Sequence, residues 1–515
     1  MPHLPQSLKN ILKVSTGTLG SRVLGLARDM LTMAYLGVNA VSAAFIFAFM
    51  VPNLFRRLMG EGAMSSAFIP VFSQTLKSGG KEKAFEFLNR ILTRSAAALL
   101  AIVIVAAGAA VAAHALLGGV EKYALCSAYA AVMMPYMLMI CLAAVICASL
   151  NVMGYFALPA LTAVWLNIAI ISSILLAGAA MGAPPEGVAA AMCAGVLAGG
   201  AAQLAIPAME LRSKGWRFKP DFSGSPEVSE FFSIFAPALV GAGIIQANMF
   251  ASNALALWVN DVAVSAIYVS SRLVELPLGM FTFAIVTVYF PKLAMISEAE
   301  KSGEYSREYA RALVSLMFIT VPAAAGLAAL SPDILQTLFE WGRFGTADVE
   351  KCAPVLAISA AGIPFYSLAT FSARGFHSLK DTRTPMMVSA AAFAVNLALA
   401  LALMGPFEAR GLVAANVASG IFQAAALNFA FSRRRSAGNA ARETAKIAAA
   451  AAVMAAAVLA GRHGIRLFLD GRAAALASCA ALIPGGVAVY AAALWAMRFG
   501  GFRELKNILK RRGLQ

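Results

Sequence analysis

The chain has 515 residues, of which 60% are hydrophobic and only 13% charged, and its formal net charge is +16. Soluble globular chains run at roughly 45–50% apolar and 25% charged, so an ordinary soluble protein is excluded. The positive charge sits mostly between long apolar runs and therefore reads as membrane topology rather than as a nucleic-acid surface.

The apolar runs are continuous rather than alternating, and each is near the ~20 residues needed to cross a hydrocarbon core ~30 Å thick, which predicts helices and not a barrel. In chain order they fall near residues 14–36, 39–58, 88–117, 123–150, 157–180, 187–211, 230–258, 262–291, 309–331, 352–374, 385–405, 409–432, 444–461 and 473–497. Alternate connections together with the two termini hold 29 of the 41 Lys and Arg, and the opposite connections hold seven. By the positive-inside rule both termini are expected in the cytoplasm, which requires an even number of spans. The first run is too long for a signal-peptide core and contains Arg22, Arg28 and Asp29, so it is read as a retained helix. The six cysteines lack metal-ligand spacing and read as small packing residues, with no metal site expected.

The polar stretch after Arg212 divides the chain. Residues 1–212 are expected to form one six-helix lobe, 213–229 a cytoplasmic linker, 230–435 a second six-helix lobe, and 436–515 an additional helix pair with a basic tail. Pro135 and Asn167 are 32 residues apart, as are Pro364 and Asn396, while Pro52 and Pro70 find an echo in Pro277 and Pro291. Such spacing suggests parallel repeats about an axis along the membrane normal, with a cavity between them. The basic runs Arg433-Arg434-Arg435 and Lys510-Arg511-Arg512 are read as anchors against anionic lipid.

Function is sought where charge enters hydrocarbon. An arginine or aspartate at a helix centre costs roughly 2.5–3.5 kcal/mol on insertion scales and persists where it faces a partner or a water-filled cavity. In the first span Arg22 and Arg28 lie about 120° apart around a helix, so they form a wall rather than a point. Seven-residue spacing aligns Ser21 with Arg28 and Arg22 with Asp29, which makes Asp29 the expected partner of the arginines rather than a ligand. In the second span Pro52 removes a backbone donor and predicts a bend. Asn53, Arg56, Arg57 and Glu61 follow it, with one arginine reaching inward, the other anchoring at the interface, and Glu61 available to pair with either. The eighth span repeats the pattern: Arg272, then Glu275 three residues on, then a bend at Pro277.

This inventory is cationic, the wrong sign for a binder of cationic drugs. Arginine is permanently ionised and its planar fork grips phosphate in bidentate fashion, so the expected ligand is an anion, a phosphate or pyrophosphate. The four histidines are scattered, and neither a His-Glu metal motif nor a phosphate-binding Gly-Lys-Ser loop occurs, so no catalytic residues, nucleotide-driven step or cofactor are expected.

As a set, SRVLGLARD (21–29), VPNLFRRLMGEGAMSSAFIPVF (51–72), SRLVELPLG (271–279), WGRF (341–344) and RGFHSLKDTRTP (374–385) resemble the MurJ (MviN) lipid II flippase family of the multidrug/oligosaccharidyl-lipid/polysaccharide exporter superfamily. The resemblance implies an all-α polytopic membrane protein of about fourteen helices, with two six-helix lobes around a central cationic cavity and a groove for a polyprenyl tail at the last two helices. It implies that Arg22, Arg28, Arg56 and Arg272 bind substrate, with Glu275 at a familiar acidic position. Three positions depart from the family pattern: Ala43 where an acid is common, Met50 where a lysine can stand, and Ser271 where an aspartate often precedes the arginine.

The expectation is a flippase of the bacterial inner membrane that carries lipid II from the inner to the outer leaflet by alternating access. It needs no cofactor and is powered by the membrane potential or an ion gradient. Its partners are lipid II and membrane lipids and not nucleic acid; the oligomeric state, coupling ion and resting conformation are not fixed by the sequence. A flippase for another lipid-linked oligosaccharide is the nearest alternative, which the departures keep open. A cation-coupled drug antiporter and a membrane transferase acting on prenyl-linked sugars are more distant ones.

Overall fold

The computed structural model describes residues 6–58, 64–117, 119–298, 302–379, 381–432 and 440–500, and among these there is helix but no strand. Glu61 and the basic runs at 433–435 and 510–512 lie outside the described residues. The helices are α1 (Gln6–Leu36), α2 (Ala40–Arg56), α3 (Met64–Leu117), α4 (Glu121–Val152), α5 (Ala157–Ile174), α6 (Pro185–Ser213), α7 (Pro226–Val259), α8 (Asp261–Pro277), α9 (Phe283–Glu298), α10 (Ser302–Ala329), α11 (Ser331–Phe339), α12 (Thr346–Ala361), α13 (Ile363–Ser378), α14 (Arg383–Ser432), α15 (Ala440–Arg466) and α16 (Gly471–Ala496).

Ten helical stretches among the described residues are long and apolar enough to cross a membrane. One of them is bent in two: α14 turns back at Glu408, which takes a positive φ of 49°. Across that turn the two legs approach so closely that a Cβ on Gly411 would lie 2.2 Å from the Leu403 carbonyl oxygen. A further apolar helix, α2, is shorter, at 17 residues. The first leg of α3 precedes a break at Gly80, whose φ is +74°.

The chain packs as two compact units, Met1–Ser265 with Trp341–Phe344, and Ala266–Glu340 with Gly345–Gln515. In the first unit α4 is central, packing against α2, α3 and α6, while α5 links α6 to α1. The amphipathic start of α3 buries Phe68 and Phe72 against Phe87, and Phe87 meets Phe231 of α7. The polar stretch after α6 is a strap bound along α3. Trp216 Nε1 donates to Asn89 Oδ1 at 2.9 Å, Asn89 Nδ2 to the Arg217 carbonyl, and Arg90 pairs with Asp221 at 2.8 Å, while Arg94 donates to the carbonyls of Phe222 and Ser223.

In the second unit α10 packs against α13 and α15, and α15 against α16. Its core holds an aromatic stack in which the Tyr309 and Phe431 rings are 4.0 Å apart. The buried tyrosine hydroxyls are satisfied by Ser378 for Tyr305 and Ser372 for Tyr309, as buried polar groups require. Within the stretch RGFHSLKDTRTP, Phe376 joins this core, Gly375 admits the Tyr309 ring, and Asp381 accepts from the Thr384 amide and hydroxyl to start α14.

Candidate functional site

In the first unit the charged stretch of α1 becomes a network. Arg28 donates from Nε and Nη2 to Asp29 Oδ1, at 3.0 and 2.7 Å, and from Nη1 to Asn167 Oδ1 at 3.0 Å. Asn167, on α5, returns its amide to the Ser21 carbonyl at 3.2 Å. Seven-residue spacing thus brings Ser21 and Arg28 together through a third residue. The guanidinium lies 5.9 Å from the Phe49 ring of α2. The Arg28 and Asp29 side chains are 11% and 3% exposed, so each charge depends on the other: removing one partner of such a pair leaves an uncompensated buried ion.

Asp29 is an arginine's partner, as expected, and the arginine that binds its carboxylate is the adjacent Arg28 rather than Arg22 seven residues away. Angular alignment positions Cβ atoms, whereas a long flexible arginine can fold its head back onto a neighbour. Arg22 is exposed, and no hydrogen bond or ion pair joins it to another described residue.

On α2, Pro52 is buried inside the helix, and the backbone widens into a π-helical turn at Arg57 and Leu58. Asn53 and Arg56 share a face: Arg56 Nε donates to Asn53 Oδ1 at 3.3 Å, and Asn53 Nδ2 donates to the Phe49 carbonyl. Arg57 turns to α7, where Nη1 lies 3.2 Å from Met249 Sδ. From Ser21 to Arg57 the chain carries four arginines against the single acid Asp29, so this wall has an excess of positive charge. Ser42, one residue before the departure at Ala43, is buried, and its hydroxyl meets that of Ser265 at 3.0 Å.

In the second unit Arg272 Nη1 bonds Glu275 Oε2 at 3.0 Å, as the three-residue spacing predicts, and its guanidinium covers the Tyr268 ring at 4.8 Å. These side chains are 31% and 48% exposed. Pro277 is again followed by a π-helical turn, Leu278–Thr282. Both α2 and α8 are therefore followed by a π-helical turn on the C-terminal side of their proline.

Sequence reading did not assign Asn167 a role at the charged stretch. Its one signal was the echo with Asn396, and both asparagines are buried. The WGRF segment has a structural part: Arg343 N–H donates to the Ala34 carbonyl at 2.7 Å. Gly342, at φ +57°, fits where a Cβ would stand 2.4 Å from that same oxygen.

Among known proteins, the family model "Lipid II flippase MurJ" matches residues 33–472. "Probable lipid II flippase MurJ" of Rhizobium tropici is 33% identical over 437 residues, covering 83% of this chain and 81% of the relative. The protein of the same name from Haemophilus influenzae is 30% identical over 426 residues, covering 79% and 82%. A solved structure described as "Lipid II flippase MurJ, inward closed conformation" superposes with a TM-score of 0.78 at 24% identity, covering 96% of this chain and 99% of that one. An inward-facing multidrug resistance MATE transporter of the MOP superfamily gives a TM-score of 0.66 at 14% identity, covering 82% and 97%. At these identities the two structures establish the all-α transporter fold. With its membrane-length helices and bacterial relatives, the molecule is a multi-pass protein of the bacterial inner membrane. The family-model match across most of the chain, and relatives at 30% identity and above over about four fifths of it, establish that this chain belongs to the lipid II flippase MurJ family.

Proposed function

We propose that this chain is a flippase that moves lipid II, an undecaprenyl-pyrophosphate-linked peptidoglycan precursor, from the inner to the outer leaflet. The observation that carries the reading is the surplus of arginine over acid within α1 and α2, with Arg28 largely buried and held by Asp29 and Asn167. A fixed guanidinium is suited to a pyrophosphate, which it binds through charge-assisted bonds. Arg28, Arg56 and the exposed Arg22 are the proposed head-group ligands of the first unit, and Arg272 that of the second, with Ser21, Asp29, Asn53 and Glu275 as supporting groups. The prenyl chain stays in lipid, along the groove expected at α15 and α16.

The cycle is alternating access between six-helix lobes 1–212 and 230–435, with both termini cytoplasmic, bending at Pro52 and Pro277. Either the membrane potential or an ion gradient powers it; one unit charge crossing 100 mV changes free energy by about 2.3 kcal/mol.

A flippase for another lipid-linked oligosaccharide is the second reading, motivated by the departures at Ala43, Met50 and Ser271. The distinguishing experiment is expression in cells depleted of their own lipid II flippase. Restored growth with precursor reaching the outer leaflet supports the first reading. Failure by a well-expressed protein supports the second.

A further inference from the structure

A second charged cluster lies away from the arginines discussed above, where α11 meets the turn joining α15 to α16. Asp333 is completely buried; it accepts a hydrogen bond from Arg466 Nη2 at 3.0 Å and forms an ion pair with Arg462, whose Nε lies 2.5 Å from Oδ2. Two guanidinium groups thus share one carboxylate, leaving positive charge in excess at that point. Both arginines line a cavity of about 710 Å³, and Glu350, Asp470, Thr346 and Gln336 line it as well. The cavity therefore presents cationic and anionic groups together.

Position identifies the ligand class. The turn 467–470 joins two membrane-length helices, so it lies at the level of lipid head groups. Leu467, Phe468 and Leu469 in that turn are exposed, Phe468 by 87%. In water such a triplet is unfavourable, whereas against acyl chains it is well placed.

We propose that this cavity binds the head group of an amine-bearing bilayer phospholipid. Arg466 and Arg462 receive the phosphodiester, Glu350 and Asp470 face the ammonium, and the acyl chains lie beside Leu467, Phe468 and Leu469. A phosphate carrying a primary ammonium matches both signs of charge in the cavity. An anionic glycerol head group satisfies the arginines alone. The site is separate from the transported substrate and stands whether or not the chain flips lipid II.

The test uses the purified full-length protein and native mass spectrometry, with titrated phosphatidylethanolamine, phosphatidylglycerol, and soluble phosphorylethanolamine. Preferential retention of phosphatidylethanolamine is expected, weakened about tenfold by Arg466→Gln, since a charge-assisted bond is lost. That variant leaves Asp333 paired with Arg462. The double variant Glu350→Gln/Asp470→Asn, which leaves the Asp333 cluster intact, should abolish the preference for the ethanolamine lipid over the glycerol lipid. Equal retention of the two lipids by the unmodified protein, or unchanged binding in both variants, overturns the proposal. Binding of phosphorylethanolamine as tightly as the lipid would assign the cavity to a soluble ligand and overturn the lipid assignment.

Discussion

Arg28 on α1 and Asn167 on α5 are joined by a 3.0 Å hydrogen bond across 139 residues of sequence. Asn167 also holds the Ser21 carbonyl, so one amide fixes both the direction of the guanidinium and the packing of α1 on α5. Replacing Asn167 by Ala should lower stability by about 1.5–3 kcal/mol, the scale of a hydrogen bond to a charged group. It should also reduce transport by releasing the Arg28 head. Thermal unfolding of the purified variant, compared with its activity per folded molecule, separates the two effects.

Asp29 is nearly inaccessible and neutralises Arg28. Asp29→Ala strands a buried guanidinium and should cost roughly 3–5 kcal/mol, visible as low folded yield and early thermal unfolding. If Asp29 were a substrate ligand and nothing more, the variant would instead retain normal stability.

These contacts show what the sequence could and could not reveal. Length and hydropathy were sufficient for the passes, because crossing hydrocarbon constrains every residue of a span. Helical periodicity paired Arg272 with Glu275, since both lie on one helix. It marked Asp29 as a partner of the arginines but not which arginine it binds, because periodicity constrains the Cβ and not the end of a long side chain. Asn167 acquires its role from a helix distant in sequence, as does Asp333 from α15, and no local pattern encodes such a pairing. The strap at 214–225 is similar: its composition suggested a linker, while its order comes from Asn89, Arg90 and Arg94 on α3.

That strap should depend on acid in a defined direction. Hydrogen bonds from Ser223, and then Arg90, hold the Asp221 carboxyl down at about 2, against an ordinary 3.8. A depressed folded value means that its contribution is fully present above the unfolded pKa and lost as pH falls through the folded one. Strap docking should therefore persist at pH 5 and weaken as the pH drops from about 4 toward about 2. Hydrogen exchange at residues 216–223 measures this, and Asp221→Asn should remove the dependence.

In the second unit Gly375 faces the Tyr309 ring, where an added Cβ would lie 3.0 Å from Cε2. Gly375→Ala should overpack the aromatic stack and cost about 1–3 kcal/mol, read as a lower unfolding temperature. Activity per folded molecule should be unchanged, which marks the RGFHSLKDTRTP stretch as a structural corner.

The arginine wall is tested most directly by following where lipid II accumulates in cells depleted of their own flippase and supplied with this chain or its Arg28→Ala variant. The unmodified chain should restore growth and deliver precursor to the outer leaflet. The variant, at matched membrane level and with Asp29→Asn added to avoid a stranded acid, should leave precursor in the inner leaflet. Undiminished delivery by that folded double variant would contradict the assignment of Arg28 to the transport site.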